Sequence, residues 1–278
     1  VLDFYKDDID MSNMYEKIYS IIENNTLLLG YNDIKLYSHQ KQLYTICKQQ
    51  NPKLVLYTAP TGTGKTMSPL GLSENNKIIF VCAARHVGLA LAKSAISMQK
   101  KVAFAFGCKS SEDIRLHYYA GSTFIKNQAT GKEIKYKDGS RKIDNIDGRK
   151  VDIMICDVKS YLCAMYYMQA FNDLDNVIMY WDEPTITMDY ETHDHHESIH
   201  KIWNDNKVPN VILSSATLPS QDEIEEVISD FRGKFENSMV HNIVSHDCNK
   251  SIPLLNKDNF VEMPHYMCKE YDDMIECV

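Results

Sequence analysis

Two tryptophans, eight prolines and eleven glycines in 278 residues leave no room for a collagen-like or low-complexity chain, and no internal repeat is present. Long apolar runs are also missing: none approaches the ~18 residues of a membrane span, and the start, Val1 to Asp8, is too acidic for a signal peptide. None of the eight cysteines forms a C-x-x-C pair, and several sit inside apolar runs, so reduced thiols in a cytosol-like compartment are expected, cytoplasmic or nuclear. Positive charge is scarce as well. With 30 Lys and Arg against 38 Asp and Glu the chain carries a formal charge of -8, which excludes nucleic-acid binding through bulk charge and requires any such binding to be local. No Ser-His-Asp or reactive-Cys arrangement stands out.

What is present is the balance of an ordinary globular protein, 44% hydrophobic and 24% charged. A chain of this length buries roughly three quarters of its extended surface, enough for one large core or two small ones. Starting at Val1 rather than Met, and stopping without a turn signal, it is expected to be a piece of a longer protein. Its Ile, Asn, Lys and Tyr content is that of an AT-rich genome, such as a viral or protist one.

Six nearly continuous apolar runs have strand length: Leu54 to Thr58, Ile78 to Cys82, Val102 to Phe106, Ile153 to Cys156, Val177 to Trp181 and Val211 to Ser214. Continuity rather than alternation means burial on both faces, and helical patterns between the runs give a β-α-β rhythm, so a mostly parallel sheet flanked by helices is expected. Ser38 is positioned to cap a helix through Gln49 with Leu43, Ile46 and Cys47 on one side, stopped by Pro52. Ser220-Gln221-Asp222-Glu223 forms a capping box for a last helix that Gly233 closes. One stretch breaks the rhythm. Thr130 to Lys150 has Asp138-Gly139 between alternating flanks and reads as an inserted β-hairpin. From Lys126 to Lys150 eight basic residues face four acidic ones, a basic island that either tracks a nucleic-acid backbone or is a solvated insertion.

The chemistry concentrates at three strand ends. The first run enters Ala59-Pro60-Thr61-Gly62-Thr63-Gly64-Lys65-Thr66, a phosphate-loop pattern with Ala in place of the first Gly. There Gly62 and Gly64 let backbone N-H groups turn inward around a phosphate, Lys65 reaches the β- and γ-phosphates, and the Thr66 hydroxyl holds Mg²⁺. Pro69 and Gly71 predict a short or kinked helix after the loop. A second run ends in Asp182-Glu183-Pro184-Thr185, where Asp182 is placed to hold Mg²⁺ and Glu183 to orient and deprotonate an attacking water. The third ends in Ser214-Ser215-Ala216-Thr217-Leu218-Pro219, with Ser215 and Thr217 placed to hydrogen-bond the Asp182-Glu183 segment and couple it to the rest of the fold.

The order A-P-T-G-T-G-K-T, D-E-P-T, S-A-T-L-P resembles motifs I, II and III of the first RecA-like lobe of superfamily two helicases, over Leu36 to Gly233. D-E-P-T is neither of the tetrapeptides that name that superfamily's main subgroups. The resemblance implies a RecA-like P-loop NTPase fold, a domain over 36–233 between an N-terminal helical extension (1–35) and an irregular tail or connection (234–278), and ATP with Mg²⁺ as cofactors. It further implies that Gln40 reads the adenine edge and that Thr61 to Thr66 hold the nucleotide. Ala216 joins Ser215 and Thr217 in coupling, and Arg85 (in A-A-R-H-V) and Lys159 (in D-V-K-S) contact a nucleic-acid backbone, RNA or DNA, most simply a single strand. The second lobe of such enzymes brings Q-x-x-G-R-x-x-R with an arginine finger. That pattern is absent from this sequence. Because such a finger contributes ~10³ to 10⁵ in turnover in other P-loop enzymes, slow hydrolysis by this chain alone is expected, with a second RecA-like lobe as partner. Two other readings stay open: a duplex translocase that does not separate strands, and a nucleic-acid scaffold that keeps nucleotide as a structural ligand. His196-Glu197-Ser198-Ile199-His200 matches H-E-x-x-H, a zinc pattern if helical, or simply an exposed polar helix.

Overall fold

The computed structural model describes residues 36–121, 124–127, 130–134, 144–187 and 190–246, together with 254–255, 257 and 261–263. The expected extension over 1–35 and the Asp138-Gly139 turn lie outside the described residues.

The chain alternates helices and strands: α1 (Ser38–Cys47), β1 (Lys53–Thr58), a 3-10 turn (Lys65–Met67), α2 (Ser68–Leu72), β2 (Lys77–Cys82), α3 (Arg85–Ser97), β3 (Val102–Ala105) and β4 (Arg115–Leu116). It continues through β5 (Ile153–Asp157), α4 (Tyr161–Gln169), β6 (Val177–Asp182), α5 (His196–Asp205), β7 (Asn210–Ser215), α6 (Glu225–Lys234) and β8 (Met239–Val244), with a small hairpin of β9 (Leu254–Leu255) and β10 (Val261–Met263). Eight strands form one sheet in the order β4-β3-β5-β2-β6-β7-β1-β8. All neighbours in it run parallel except β4, which lies antiparallel on β3. This is an α/β architecture, a mostly parallel sheet with helices on both faces, as expected from the six apolar runs, each found within a residue of its strand. Among the described residues no helix is long and apolar enough to cross a membrane.

Alternate residues of each strand feed two cores. Ile79, Val81, Met154, Cys156, Met179 and Trp181 face one layer, with Tyr161, Met165 and Phe231 from α4 and α6. Ile78, Phe80, Ile153, Ile155, Ile178 and Tyr180 face the other, with Leu43 from α1 and Leu91 from α3. A strand sandwiched this way has no polar face, which is why the sequence showed no alternation.

Three readings are corrected. The tail past 233 is not all irregular: β8 pairs with β1 from Lys53↔Met239 to Thr58↔Val244, so the sheet runs beyond the boundary drawn at Gly233. Its polar alternation, set by exposed Met239, Asn242 and Val244 at the sheet's end, hid it. Ser38 is the first helical residue of α1 rather than its cap; the N-H of Tyr37 is satisfied instead by Gln40 Oε1 at 3.1 Å. Helix α6 ends at Lys234, one residue past Gly233, and the Ser220 capping box opens a 3-10 turn (Gln221–Ile224) ahead of it. Upstream of the Asp138-Gly139 turn, which lies outside the described residues, Lys126 and Glu133 form an antiparallel bridge with Gly131 at φ 66.

Candidate nucleotide site

Parallel strands put all their C-terminal ends on one edge, and the site is built there. Strand β7 lies between β1 and β6, with Thr58 beside Ser215 and Asp182 beside Ser214 in register. The serines therefore stand between the loop that leaves β1 and the carboxylates that end β6.

The loop itself turns at Gly62 (φ 86) and Gly64 (φ 78), both in the left-handed region that a side chain resists. At Gly64 a Cβ would also stand 2.8 Å from Gln40 Nε2. Gln40 is buried, and its amide spans the first turn of α1 and the loop: Oε1 accepts from Tyr37 N-H while Nε2 lies 3.4 Å from the carbonyls of Thr63 and Gly64. Thr63 Oγ1 closes the loop on Pro60 O at 2.7 Å, and Thr61 and Gly62 are exposed at its tip. Lys65 is buried, its Nζ donating to Ala59 O at 2.5 Å and Pro60 O at 3.2 Å. Burial lowers its pKa, opposed by the nearby charges of Glu183 and Asp182. The helix after the loop is short, as Pro69 and Gly71 foretold: α2 has five residues.

Asp182 is buried at the end of β6. Thr66 Oγ1 donates to its Oδ2 at 3.3 Å, while Oδ1 is buried with no hydrogen-bond partner. Burial first, and then the neighbouring Glu183 charge, push its pKa up to about 6. A hydroxyl beside a carboxylate oxygen that has nothing to bond suits a hard divalent cation such as Mg²⁺, which takes few protein oxygens and completes its shell with water and phosphate. Among the described residues no group of three His, Cys, Asp or Glu converges, so a Mg²⁺ held here would depend on those outside ligands.

Glu183 sits at φ 52, a strained conformation for a side chain with a Cβ. It is held from both ends by β7: its N-H donates to Ser214 O at 2.7 Å, and its Oε2 accepts from Ser215 Oγ at 2.5 Å. Ser215 Oγ in turn accepts from Thr217 N-H at 3.2 Å and lies 3.5 Å from Thr185 Oγ1. Thr217 thus enters through its backbone, not the hydroxyl, and Ala216 serves as the link between them.

Further along the same edge, Arg85 starts α3 with its side chain 63% exposed, 3.9 Å from Asp157 Oδ2 and 5.4 Å over the ring of Phe106. Lys159 is exposed on the 3-10 turn after β5. Asp157 ties the two neighbouring turns together by accepting from Ser160 N-H at 2.8 Å and Gly107 N-H at 2.7 Å. The two cations therefore share an edge with the loop but follow β2 and β5, three and four strand positions from β1.

Several residues were invisible to sequence reasoning. Tyr180, fully buried in β6, donates to Lys65 O at 2.7 Å and lies 3.0 Å from Ser214 Oγ, joining loop, β6 and β7. Ser68 Oγ donates to Gly64 O at 3.3 Å, and His39 Nδ1 meets Tyr57 Oη at 2.6 Å. Only a polar atom inside an otherwise apolar strand could have flagged Tyr180. The H-E-x-x-H match falls on α5, but His196 Nε2 is engaged by Thr187 O at 2.9 Å, which takes its outer ring nitrogen away from a zinc pair with His200. Burial raises the thiols of Cys82 and Cys108 to about 11 and Cys47 to about 12, leaving them poor nucleophiles.

No protein-family model matches the chain, and no curated protein matches it. Among solved structures it is similar to a hypothetical ATP-dependent RNA helicase from Sulfolobus tokodaii, at 20% identity over 82% of this chain and 56% of that one, TM-score 0.45. It is also similar to a DEAD box protein from Methanococcus jannaschii (17%, covering 74% and 49%, TM-score 0.44) and to the Hef helicase domain of Pyrococcus furiosus (18%, covering 78% and 40%, TM-score 0.41). The chain spans about half the length of these structures.

Proposed function

We propose that this chain is the ATP-binding RecA-like lobe of a superfamily two helicase, which binds Mg-ATP and single-stranded nucleic acid and couples hydrolysis to strand unwinding or translocation. The observation that carries the reading is the meeting of Thr66 with Asp182, whose Oδ1 is buried and unpartnered, beside a loop whose backbone turns at two left-handed glycines. Bound Mg²⁺ would supply charge neutralisation on the phosphate oxygens, held by Thr66 and Asp182. Lys65 is the loop cation for the β- and γ-phosphates; to reach them its Nζ must leave Ala59 O and Pro60 O. Glu183 is the base that takes the proton of the attacking water, and the Ser215 hydrogen bond fixes which carboxylate oxygen is free to do so. Ser215 to Thr217 link that base to the rest of the edge, where Arg85 and Lys159 would grip phosphates without reading bases. Gln40 supports the loop from beneath, and its contact with adenine requires an amide that keeps or exchanges its loop partners.

The test is Mg-ATP hydrolysis by the chain, alone and with single-stranded RNA or DNA, using Glu183→Gln as the blank. Nucleotide binding retained in Glu183→Gln with hydrolysis lost supports the assigned roles; equal loss of both would sink the role of Glu183. Binding without turnover, unchanged by adding a second RecA-like lobe, would favour a scaffold with structural nucleotide. Turnover stimulated by duplex without strand separation would favour a translocase.

A further inference from the structure

At the opposite end of β3 from the candidate site, three aromatic rings are held together on the surface. Tyr118 is 58% exposed and Tyr119 41%, yet their ring centroids lie 4.2 Å apart, and His117 lies 4.5 Å from the first and 5.0 Å from the second. The two tyrosine side chains are hydrogen-bonded to each other, and the backbone around them is held as well. His117 N-H donates to Val102 O at 2.9 Å, Ala120 N-H returns to His117 O at 2.8 Å, and Ala120 is fully buried. The turn is therefore pinned to the sheet at one side and to the core at the other, and it presents the rings outward.

The charge around it is unlike the rest of the chain. Lys101 immediately precedes Val102, and Asp152 N-H donates to Lys101 O at 2.7 Å, which brings the exposed Lys150 passage to the same end of β3. Two of the acids nearby are paired, Asp152 with Lys77 at 2.9 Å and Asp147 with Arg149 at 2.6 Å, while among the described residues Asp144 accepts only from Ile146 N-H at 3.0 Å. The insertion between β4 and β5 adds exposed Lys126 and Lys132, on a protein whose net charge is -8.

We infer that Tyr118 and Tyr119 form a base-stacking platform for a single nucleic-acid strand, with Lys101 and Lys150 placed for its phosphates. Exposed ring faces beside a local cation excess are what sequence-tolerant binding of one strand uses, since every base has a π-face and every linkage a charge. The inference rests on the proposed function for its class of partner and adds a second contact region. From Val102 to Phe106, whose ring lies under Arg85, the chain along β3 rises about 13 Å, so a strand of several nucleotides is needed to reach from the platform to Arg85.

The experiment is fluorescence anisotropy of labelled 20-nucleotide oligo-U and oligo-dT with the intact chain at fixed salt, comparing the wild type with Tyr118→Leu/Tyr119→Leu and Tyr118→Phe/Tyr119→Phe. Both positions are exposed, and equal thermal unfolding of the three proteins checks that the fold is kept. The platform requires the Leu pair to weaken binding at least about fivefold while the Phe pair binds as the wild type does, because stacking needs the ring and not the hydroxyl. Equal binding by the Leu pair overturns it, as does absence of oligonucleotide binding by the wild type, or displacement by poly-glutamate as effective as by unlabelled oligonucleotide. An Arg85→Ala/Lys159→Ala arm separates the failures. If that pair loses binding and the Leu pair does not, the platform falls and the proposed function stands; if Mg-ATP does not bind at all, the proposed function falls.

Discussion

Ser215 Oγ lies 2.5 Å from Glu183 Oε2, so the hydroxyl at the end of β7 holds the carboxylate that follows its neighbour β6. Because Glu183 is also in the left-handed region, its side chain is aimed by two constraints that a flexible loop glutamate would lack.

Ser215→Ala removes the hydroxyl but not the strand. The expected result is nucleotide affinity within about twofold of wild type and hydrolysis reduced about tenfold or more, a charged hydrogen bond contributing about 1.5–3 kcal/mol. Ser215→Thr restores the donor and should recover most of the rate. A binding isotherm and a steady-state assay on the same preparations check both.

Asp182 makes a pH prediction. Its folded pKa is raised from 3.8 to about 6, so the native state holds a proton that the unfolded chain has already lost. Stability from this group is therefore full at low pH and falls as pH rises from about 4 to about 6. Asp182→Asn never ionises, so it should become more stable than wild type across that window, by up to about 3 kcal/mol at pH 7 without Mg²⁺. Urea unfolding of both proteins between pH 4 and pH 8 measures the difference, and a gap that does not widen with pH contradicts the assignment.

Gly64→Ala meets two obstacles, φ 78 and the Gln40 amide 2.8 Å from the new Cβ. Gln40→Ala removes the second only. The double variant should be less destabilised than the sum of the singles, with the residual about 1–2 kcal/mol of the left-handed conformation remaining. A double-mutant cycle by denaturant unfolding reads the coupling directly.

Tyr180→Phe keeps the ring in the core and removes the hydroxyl that bonds Lys65 O and Ser214 Oγ, while Lys65 O keeps the N-H of Ser68. A cost of about 0.5–1.5 kcal/mol per lost hydrogen bond is expected, with weaker nucleotide binding because the loop loses its tie to β6 and β7. Calorimetric melting and nucleotide titration test the two parts separately.

The strands were legible because burial on both faces demands unbroken Val, Ile, Leu and Met, and the loop because glycine spacing before Lys65-Thr66 has few other uses. Edge strand β8 was not, since half of it faces solvent and its pattern of Met239, His241 and Asn242 has no apolar run. Tyr180 was hidden for the opposite reason: inside Val177 to Trp181 an aromatic ring reads as packing, and its hydroxyl bonds residues 115 and 34 positions away. The clustering of Tyr118 and Tyr119 likewise depends on a hydrogen bond from His117 to Val102, a contact between strands.

By itself, then, the sequence determined the local chemistry: a buried strand feeding a glycine turn, two carboxylates at a strand end, hydroxyls at another, because these depend on neighbours within a few residues. Tertiary structure decided the order of the strands, and with it that β7 stands between β1 and β6, that Glu183 is held by Ser215, and that Asp182 meets Thr66 with one oxygen left unpaired. Those relations depend on which parallel strands pair, a choice made by packing two cores at once and by nothing within a few residues of the site.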